Sequence, residues 1–201
     1  MKKSKTPKKE LNKVSRWLHI YLSMFSFAIV FFFSFTGLTL NHPTWFGADK
    51  QIEKKFEGKL PEAWVIQADT NKINKLSIVE YFRDKHKIKA AVKEFRIEEY
   101  DLSISFKGPA YSADIFINRE NATFEGSEIK MGMMALMNDL HKGRDAGEGW
   151  LWVIDVSAIF LILISLSGLI LICYIKKKRF AGFLAAAVGL LIVGLIYYLW
   201  T

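Results

Sequence analysis

Three apolar runs, each of at least 20 residues, constrain what this chain can fold into. A run of about 20 apolar residues crosses a bilayer as a helix, and three of them are incompatible with a small soluble domain. We predict three transmembrane α-helices at these runs, over residues 17–40, 150–175 and 180–200. The first run is too long for a signal-peptide core and no small-x-small cleavage site follows it, so we interpret it as an uncleaved anchor.

The distribution of charge predicts the orientation of these helices. Segment 1–16 carries seven basic residues and one acidic residue, and loop 176–179 carries four basic residues. Residues 41–149 are close to neutral, with 17 basic and 18 acidic residues. The net charge of +8 therefore lies beside the membrane helices, and the positive-inside rule places both basic segments in the cytoplasm. Residues 41–149 then form an extracytoplasmic domain, and the charge indicates topology, with no nucleic-acid partner.

Two helices are predicted inside the extracytoplasmic domain. The first covers residues 74–88, where Ser77 and Glu80 fit a capping box. Its apolar stripe consists of Leu76, Val79 and Phe82. The second is a short amphipathic helix over residues 130–141, which leads back to the membrane.

Apolar and polar residues alternate between these helices, as they do in half-buried strands. The alternating apolar residues are Phe95 and Ile97, then Leu102, Ile104 and Phe106, then Tyr111, Ala113, Ile115 and Ile117. Gly108-Pro109 and residues 118–121 predict turns. A helix followed by three or four antiparallel strands predicts an α+β domain.

Three of the four histidines lie at predicted membrane boundaries. His42 follows the outer end of the first span and His141 precedes the second, so the two imidazoles could converge if these spans pack side by side. Two imidazoles are sufficient axial ligands for a b-type haem. Alternatively, both histidines are polar residues of the membrane interface. His19 lies near the cytoplasmic end of the first span, and we expect His86 on a solvated helix face.

Charged residues near the second span are further candidates. Asp155 lies inside the span, where a carboxyl is costly unless it is paired, hydrated or protonated. It could tune a histidine or move a proton, or it could hydrogen-bond a neighbouring helix. Arg144 and Lys142 could bind an anionic group such as a haem propionate or a lipid phosphate, or they could be interfacial charges.

A short pattern occurs in both the first and the second span. Residues 34–40 and 165–171 both fit S-x-[ST]-G-L-x-L. Small residues allow helices to approach closely in a membrane, so we interpret the pattern as helix packing.

These boundary motifs together resemble the bacterial PepSY-associated transmembrane proteins. The resemblance covers most of residues 11–179 and rests on Arg16-Trp17-Leu18-His19, Thr36-Gly37-Leu38, Asn41-His42-Pro43, Asp139-Leu140-His141, Trp152-x-x-Asp155 and Ser167-Gly168-Leu169. It implies a PepSY-like domain between the first two spans and a location in the bacterial inner membrane.

Larger members of this family include inner-membrane reductases of ferric siderophores that carry b-type haem. The resemblance implies haem b as cofactor, with His42 and His141 as outer ligands and His19 as an inner ligand. The inner haem would need a second ligand from another subunit, such as a homodimer partner. No nicotinamide or flavin fingerprint is present, so electrons would come from quinone or a redox partner. The protein would then be a ferric reductase-type oxidoreductase or an electron-transfer subunit.

A second function remains open at this point. The chain could be a non-catalytic accessory subunit of a membrane complex, whose external domain binds a partner protein or peptide. The absorbance spectrum of the purified protein would separate the two functions: a haem band supports the redox function, and its absence favours the accessory subunit.

Overall fold

The computed structural model describes residues 7–67 and 69–200, and side chains from residue 10 onward. The helices are α1 Pro7–Phe25, α2 Phe27–Asn41, α3 Glu62–Val65, α4 Lys75–His86, α5 Met133–Lys142, α6 Glu148–Tyr174 and α7 Arg179–Trp200. The strands are β1 Gln51–Lys59, β2 Ala91–Ile97, β3 Asp101–Gly108, β4 Tyr111–Asn118 and β5 Thr123–Met131. The chain divides into a sheet unit, Phe33–Ile154, and a helical unit made of the residues before and after it.

The sheet unit contains one antiparallel sheet of five strands in the order β1-β5-β4-β3-β2. The predicted meander is present as β2 to β5. This confirms the predicted meander of up to four strands after the helix, but β1, which precedes the helix and pairs along its whole length with β5, was not predicted. This edge strand reads QIEKKFEGK, and charged residues are common on edge strands because they prevent pairing with other chains. Its apolar alternation is therefore too weak to be recognised.

Helix α4 covers one face of the sheet. Ile78 and Phe82 are fully buried against the inward-facing residues of β3, β4 and β5. The predicted stripe was partly wrong, because Leu76 is 71% exposed. The predicted capping box was also wrong: the side chain of Asn74 caps the helix by accepting a hydrogen bond of 3.1 Å from the backbone N–H of Ser77.

Arg119 ties three loops of the sheet unit together. Its guanidinium donates to the carbonyl oxygens of Glu98 and Glu99, at 2.6 and 2.9 Å, and to that of Gln67, at 2.9 Å. One side chain thus satisfies carbonyls in the β2–β3 turn and in the segment after α3, which the five donors of arginine make possible.

The helical unit contains α1, the first part of α2, most of α6 and all of α7. The continuous helix predicted over residues 17–40 is broken at Ser26, where the flanking helices bend by 53°. The hydroxyl of Ser26 donates to the carbonyl of Leu22 at 2.7 Å, and this i−4 bond often bends a helix. Within the described residues, α6 and α7 are each long and apolar enough to cross a membrane, and the bent pair adds a third span if it counts as one.

Candidate functional site

Two hydrogen bonds join α2 to α5 in the sheet unit. The hydroxyl of Thr36 lies 2.6 Å from Nδ1 of His141, and the hydroxyl of Thr39 donates to the side chain of Asn138 at 2.7 Å. Thr36 and Thr39 are both completely buried. Because partners are three residues apart on each helix, the helices run antiparallel and present one polar pair per turn.

The ring of His141 also has close apolar neighbours. The edge of Phe33 packs against it with centroids 5.1 Å apart. A Cβ added at Gly37 would lie 3.7 Å from its Cε1 atom, an ordinary van der Waals distance, so the glycine faces the ring. We call Thr36, Gly37 and His141 the His141 seat.

The C-terminus of α5 is held by a glycine and a tryptophan. Gly143 adopts a left-handed conformation with φ of 67°, and it ends the helix. The indole N–H of Trp150 donates to the carbonyl of Leu140 at 2.7 Å. At the same end, the carboxylate of Asp139 accepts a hydrogen bond from the backbone N–H of Ala110, which attaches α5 to the β3–β4 turn. These contacts fix the helix that carries His141.

Burial lowers the pKa of His141, and the nearby charge of Lys142 lowers it further. Both effects favour the neutral imidazole at physiological pH. A neutral imidazole carries a lone pair on one ring nitrogen, which is the form that binds metal.

A second histidine is held in a similar way in the helical unit. Nδ1 of His19 lies 3.0 Å from the hydroxyl of Ser167, and that hydroxyl also donates to the carbonyl of Ile164 at 2.7 Å. A Cβ at Gly168 would lie 3.1 Å from Cε1 of His19, so little more than a glycine fits there. We call Ser167, Gly168 and His19 the His19 seat.

The repeated pattern therefore does more than the helix packing that we predicted from it. In each seat its hydroxyl residue contacts a histidine ring, and its glycine faces the same ring. The sequence shows the pattern but not which histidine it contacts, because each contact joins residues more than 100 positions apart.

His42 has a different environment. Its ring stacks on Trp45, with centroids 3.9 Å apart and planes 9° from parallel. Among the described residues, no side chain or backbone group is hydrogen-bonded to its ring nitrogens, so nothing fixes its tautomer. His42 and His141 have different contacts, and their pairing as ligands stays a prediction.

The prediction that His86 lies on a solvated face was wrong. Its ring stacks on Phe56 at 4.2 Å and also packs against Tyr81, Phe82 and Phe124. Its Nε2 atom is buried with no hydrogen-bond partner in the described part of the chain. Burial lowers the pKa of His86, and the charges of Lys85 and Lys54 lower it further.

The charged candidates near the second span are exposed. The side chain of Arg144 is 61% exposed and lies 3.9 Å from a carboxylate oxygen of Asp139. Asp155 is exposed on α6, and it has no hydrogen bond or ion pair with a side chain of residues 10–67 or 69–200. Lys142 is also exposed. All three are accessible to a ligand, a lipid or another subunit.

The donor set fits haem iron better than a bare metal ion. In the part of the chain that the structure describes, no three His, Cys, Asp or Glu side chains form a group that could hold a metal. A haem iron needs only one imidazole nitrogen on each side. His141 and His19 could each supply one such nitrogen at a separate site, since Nδ1 of each contacts a hydroxyl and leaves Nε2 as the other ring nitrogen.

The open face of the sheet carries a shallow groove of about 560 Å³. Phe116 lies in it and is 63% exposed. The charged residues that line the groove are mostly acidic: Glu53, Glu57, Asp114 and Glu125, with Lys55 beside them. An exposed aromatic ring among carboxylates is a surface that a basic partner could contact.

The family profile of PepSY_TM-like proteins matches residues 13–201. The chain belongs to the PepSY_TM-like family. This confirms the resemblance to PepSY-associated transmembrane proteins, whereas the relation to haem-containing reductases stays a prediction. Comparison with curated proteins returned no significant match, and comparison with solved structures returned none either.

Proposed function

We propose that this PepSY_TM-like protein binds b-type haem at its boundary histidines and passes electrons outward across a bacterial inner membrane. The acceptor is ferric iron, a ferric siderophore or another metal centre. In this proposal the chain crosses the membrane three times, with the N-terminus in the cytoplasm and residues 41–149 in the periplasm, and the two basic segments support this orientation. Bound haem would supply one-electron transfer.

The observation that carries this proposal is the state of His141. Its Nδ1 lies 2.6 Å from the hydroxyl of Thr36, and burial lowers its pKa, which favours the neutral ring. A hydrogen bond to the non-ligating nitrogen is the usual support of a metal-binding histidine, because it fixes the orientation and the tautomer of the ring. His42 supplies the second outer ligand.

Other residues complete the proposal. His19 is the inner ligand, and its partner ligand comes from a second subunit. Arg144 would pair with a haem propionate. Asp155, on α6, would tune a histidine or move a proton. Electrons enter from quinone or a redox partner.

The test is an absorbance spectrum of protein purified from haem-replete cells. We expect a Soret band, with sharp α and β bands after dithionite reduction. His42→Ala and His141→Ala should each remove the same haem signal, whereas His86→Phe, a control outside the site, should keep it. A colourless wild-type protein that takes up no haem would refute the proposal.

The groove on the open sheet face favours a second candidate function. In this alternative the protein is a non-catalytic subunit whose external domain binds a basic partner protein or peptide. Phe116 would be the apolar anchor, and the surrounding carboxylates would pair with Lys or Arg of the partner. A colourless protein that binds a Lys- and Phe-containing peptide, with binding lost in Phe116→Ser, would support it.

A further inference from the structure

The two histidine seats have the same local arrangement. In each, a Ser or Thr hydroxyl lies within 3.0 Å of Nδ1, and the glycine that follows it faces Cε1 of the same ring. The hydroxyl and the glycine come from the same positions of the repeated S-x-[ST]-G-L-x-L pattern. The arrangement thus occurs twice, once in each structural unit.

The hydrogen bond that the hydroxyl of Ser167 makes to the backbone indicates which way its contact to Nδ1 of His19 runs. The hydroxyl of Ser167 donates to the carbonyl of Ile164, three residues earlier, at 2.7 Å. The hydroxyl of Thr36 lies 3.4 Å from the carbonyl oxygen of Phe33, a longer contact than its 2.6 Å to Nδ1, so the direction of the contact at His141 is inferred from the matching arrangement at His19. A hydroxyl has one proton to donate. When that proton goes to the carbonyl, the oxygen can only accept from the histidine, and Nδ1 must then carry the hydrogen.

We infer that Thr36 and Ser167 are positioning residues, which hold His141 and His19 in the Nδ1–H tautomer so that the lone pair is on Nε2. The repeated pattern is, on this view, a histidine-holding motif present once on α2 and once on α6. The tautomer of His19 is inferred from the hydrogen bond of Ser167 to the backbone, and that of His141 from the same arrangement at Thr36. That Nε2 then binds haem iron rests on the proposed function.

The test is ¹⁵N NMR of the full-length, haem-free protein labelled at histidine, in lipid nanodiscs at about pH 8, where imidazoles are neutral. Protonated and unprotonated ring nitrogens resonate in separate ranges. We expect His141 and His19 each to show one species with hydrogen on Nδ1. Thr36→Val should convert His141 to a tautomer mixture and leave His19 unchanged, and Ser167→Ala should do the reverse.

Two control variants separate positioning from general loosening. Thr36→Ser keeps the hydroxyl and should keep the wild-type signal of His141. Thr39→Val removes the neighbouring buried hydrogen bond to Asn138 and should leave the tautomer of His141 unchanged. In haem titrations, Thr36→Val should bind about 10- to 100-fold more weakly than Thr39→Val.

The possible failures are distinguishable. Hydrogen on Nε2 in the wild-type protein, or an unchanged tautomer in Thr36→Val, would overturn the inference whatever the absorbance spectrum shows. A protein with the expected tautomers that never binds haem would refute the proposed function and leave the tautomer assignment standing.

Discussion

Two glycines of the β1–β5 pair make room for aromatic rings, and replacing them tests how the core is packed. Gly58 lies opposite Phe124, and Gly126 lies opposite Phe56. A Cβ at Gly58 would be 2.7 Å from Cζ of Phe124, and a Cβ at Gly126 would overlap the ring of Phe56. Each alanine variant therefore adds a methyl group where a ring already lies.

The two variants should differ in cost because only one ring can move. Phe124 is 2% exposed and is enclosed by Phe82 and Tyr81, so Gly58→Ala overpacks a closed core. Overpacking costs about 1–3 kcal/mol, and the better strand propensity of alanine returns about 0.5–1 kcal/mol, which leaves about 1–2 kcal/mol of destabilisation. Phe56 lies on an edge strand and can turn outward, so Gly126→Ala should cost less.

Hydrogen exchange of the full-length protein in nanodiscs can measure this difference. A loss of about 1–2 kcal/mol should speed exchange of the paired amides of β3 and β4 by about 5- to 30-fold in Gly58→Ala. In a Phe124→Leu background, Gly58→Ala should cause little additional destabilisation. Exchange that is unchanged in Gly58→Ala, or faster in Gly126→Ala than in Gly58→Ala, would show that the reasoning on ring mobility is wrong.

Three further predictions concern single residues. Gly143→Ala should destabilise the α5–α6 connection by about 2–3 kcal/mol, because alanine disfavours φ of 67° and its Cβ would lie 2.8 Å from Leu151. Thermal unfolding measures this loss, and an unchanged midpoint would contradict the prediction. Arg119→Lys should lower the free energy of unfolding by about 1–2 kcal/mol, since lysine cannot reach three carbonyls at once. Faster amide hydrogen exchange in the β2–β3 turn would show this loss. The pKa of His86 is lowered on folding, so the unfolded chain binds the proton more readily and stability should fall as pH drops below the ordinary value of 6.5. His86→Phe should weaken that fall in the thermal midpoint between about pH 8 and pH 5.5, and a fall identical to wild type would exclude His86 as its cause.

The sequence predicted the parts of the fold that depend on local periodicity. Leu102, Ile104 and Phe106 alternate with polar residues, and all three are at most 1% exposed in the sheet. The edge strand β1 was not predicted, because most of its side chains are exposed on both faces and therefore show no regular apolar alternation. The cap of α4 was assigned to Ser77 although Asn74 lies three residues earlier, and both residue types are good N-caps.

The candidate site was predictable only in its residue types. The position of His141 near the membrane marked it as a candidate, but the role of Thr36 depends on a contact across 105 residues. A hydroxyl next to a glycine is common in packed membrane helices, so the pattern alone does not indicate a histidine partner. His86 was misplaced because its neighbours in sequence are lysines, whereas its neighbours in space are aromatic rings.

The β1–β5 pair has a mechanical consequence for the His141 seat. Gln51 pairs with Met131, so the strand that follows α2 and the strand that precedes α5 begin and end side by side. A slip of one residue would shift the strands by about 3.3 Å, which is more than the whole distance from Thr36 to His141. The register of the sheet thus sets the distance between Thr36 and His141. A force, a ligand or a mutation that moves the two strands past each other would break the hydrogen bond to the imidazole before the sheet itself comes apart.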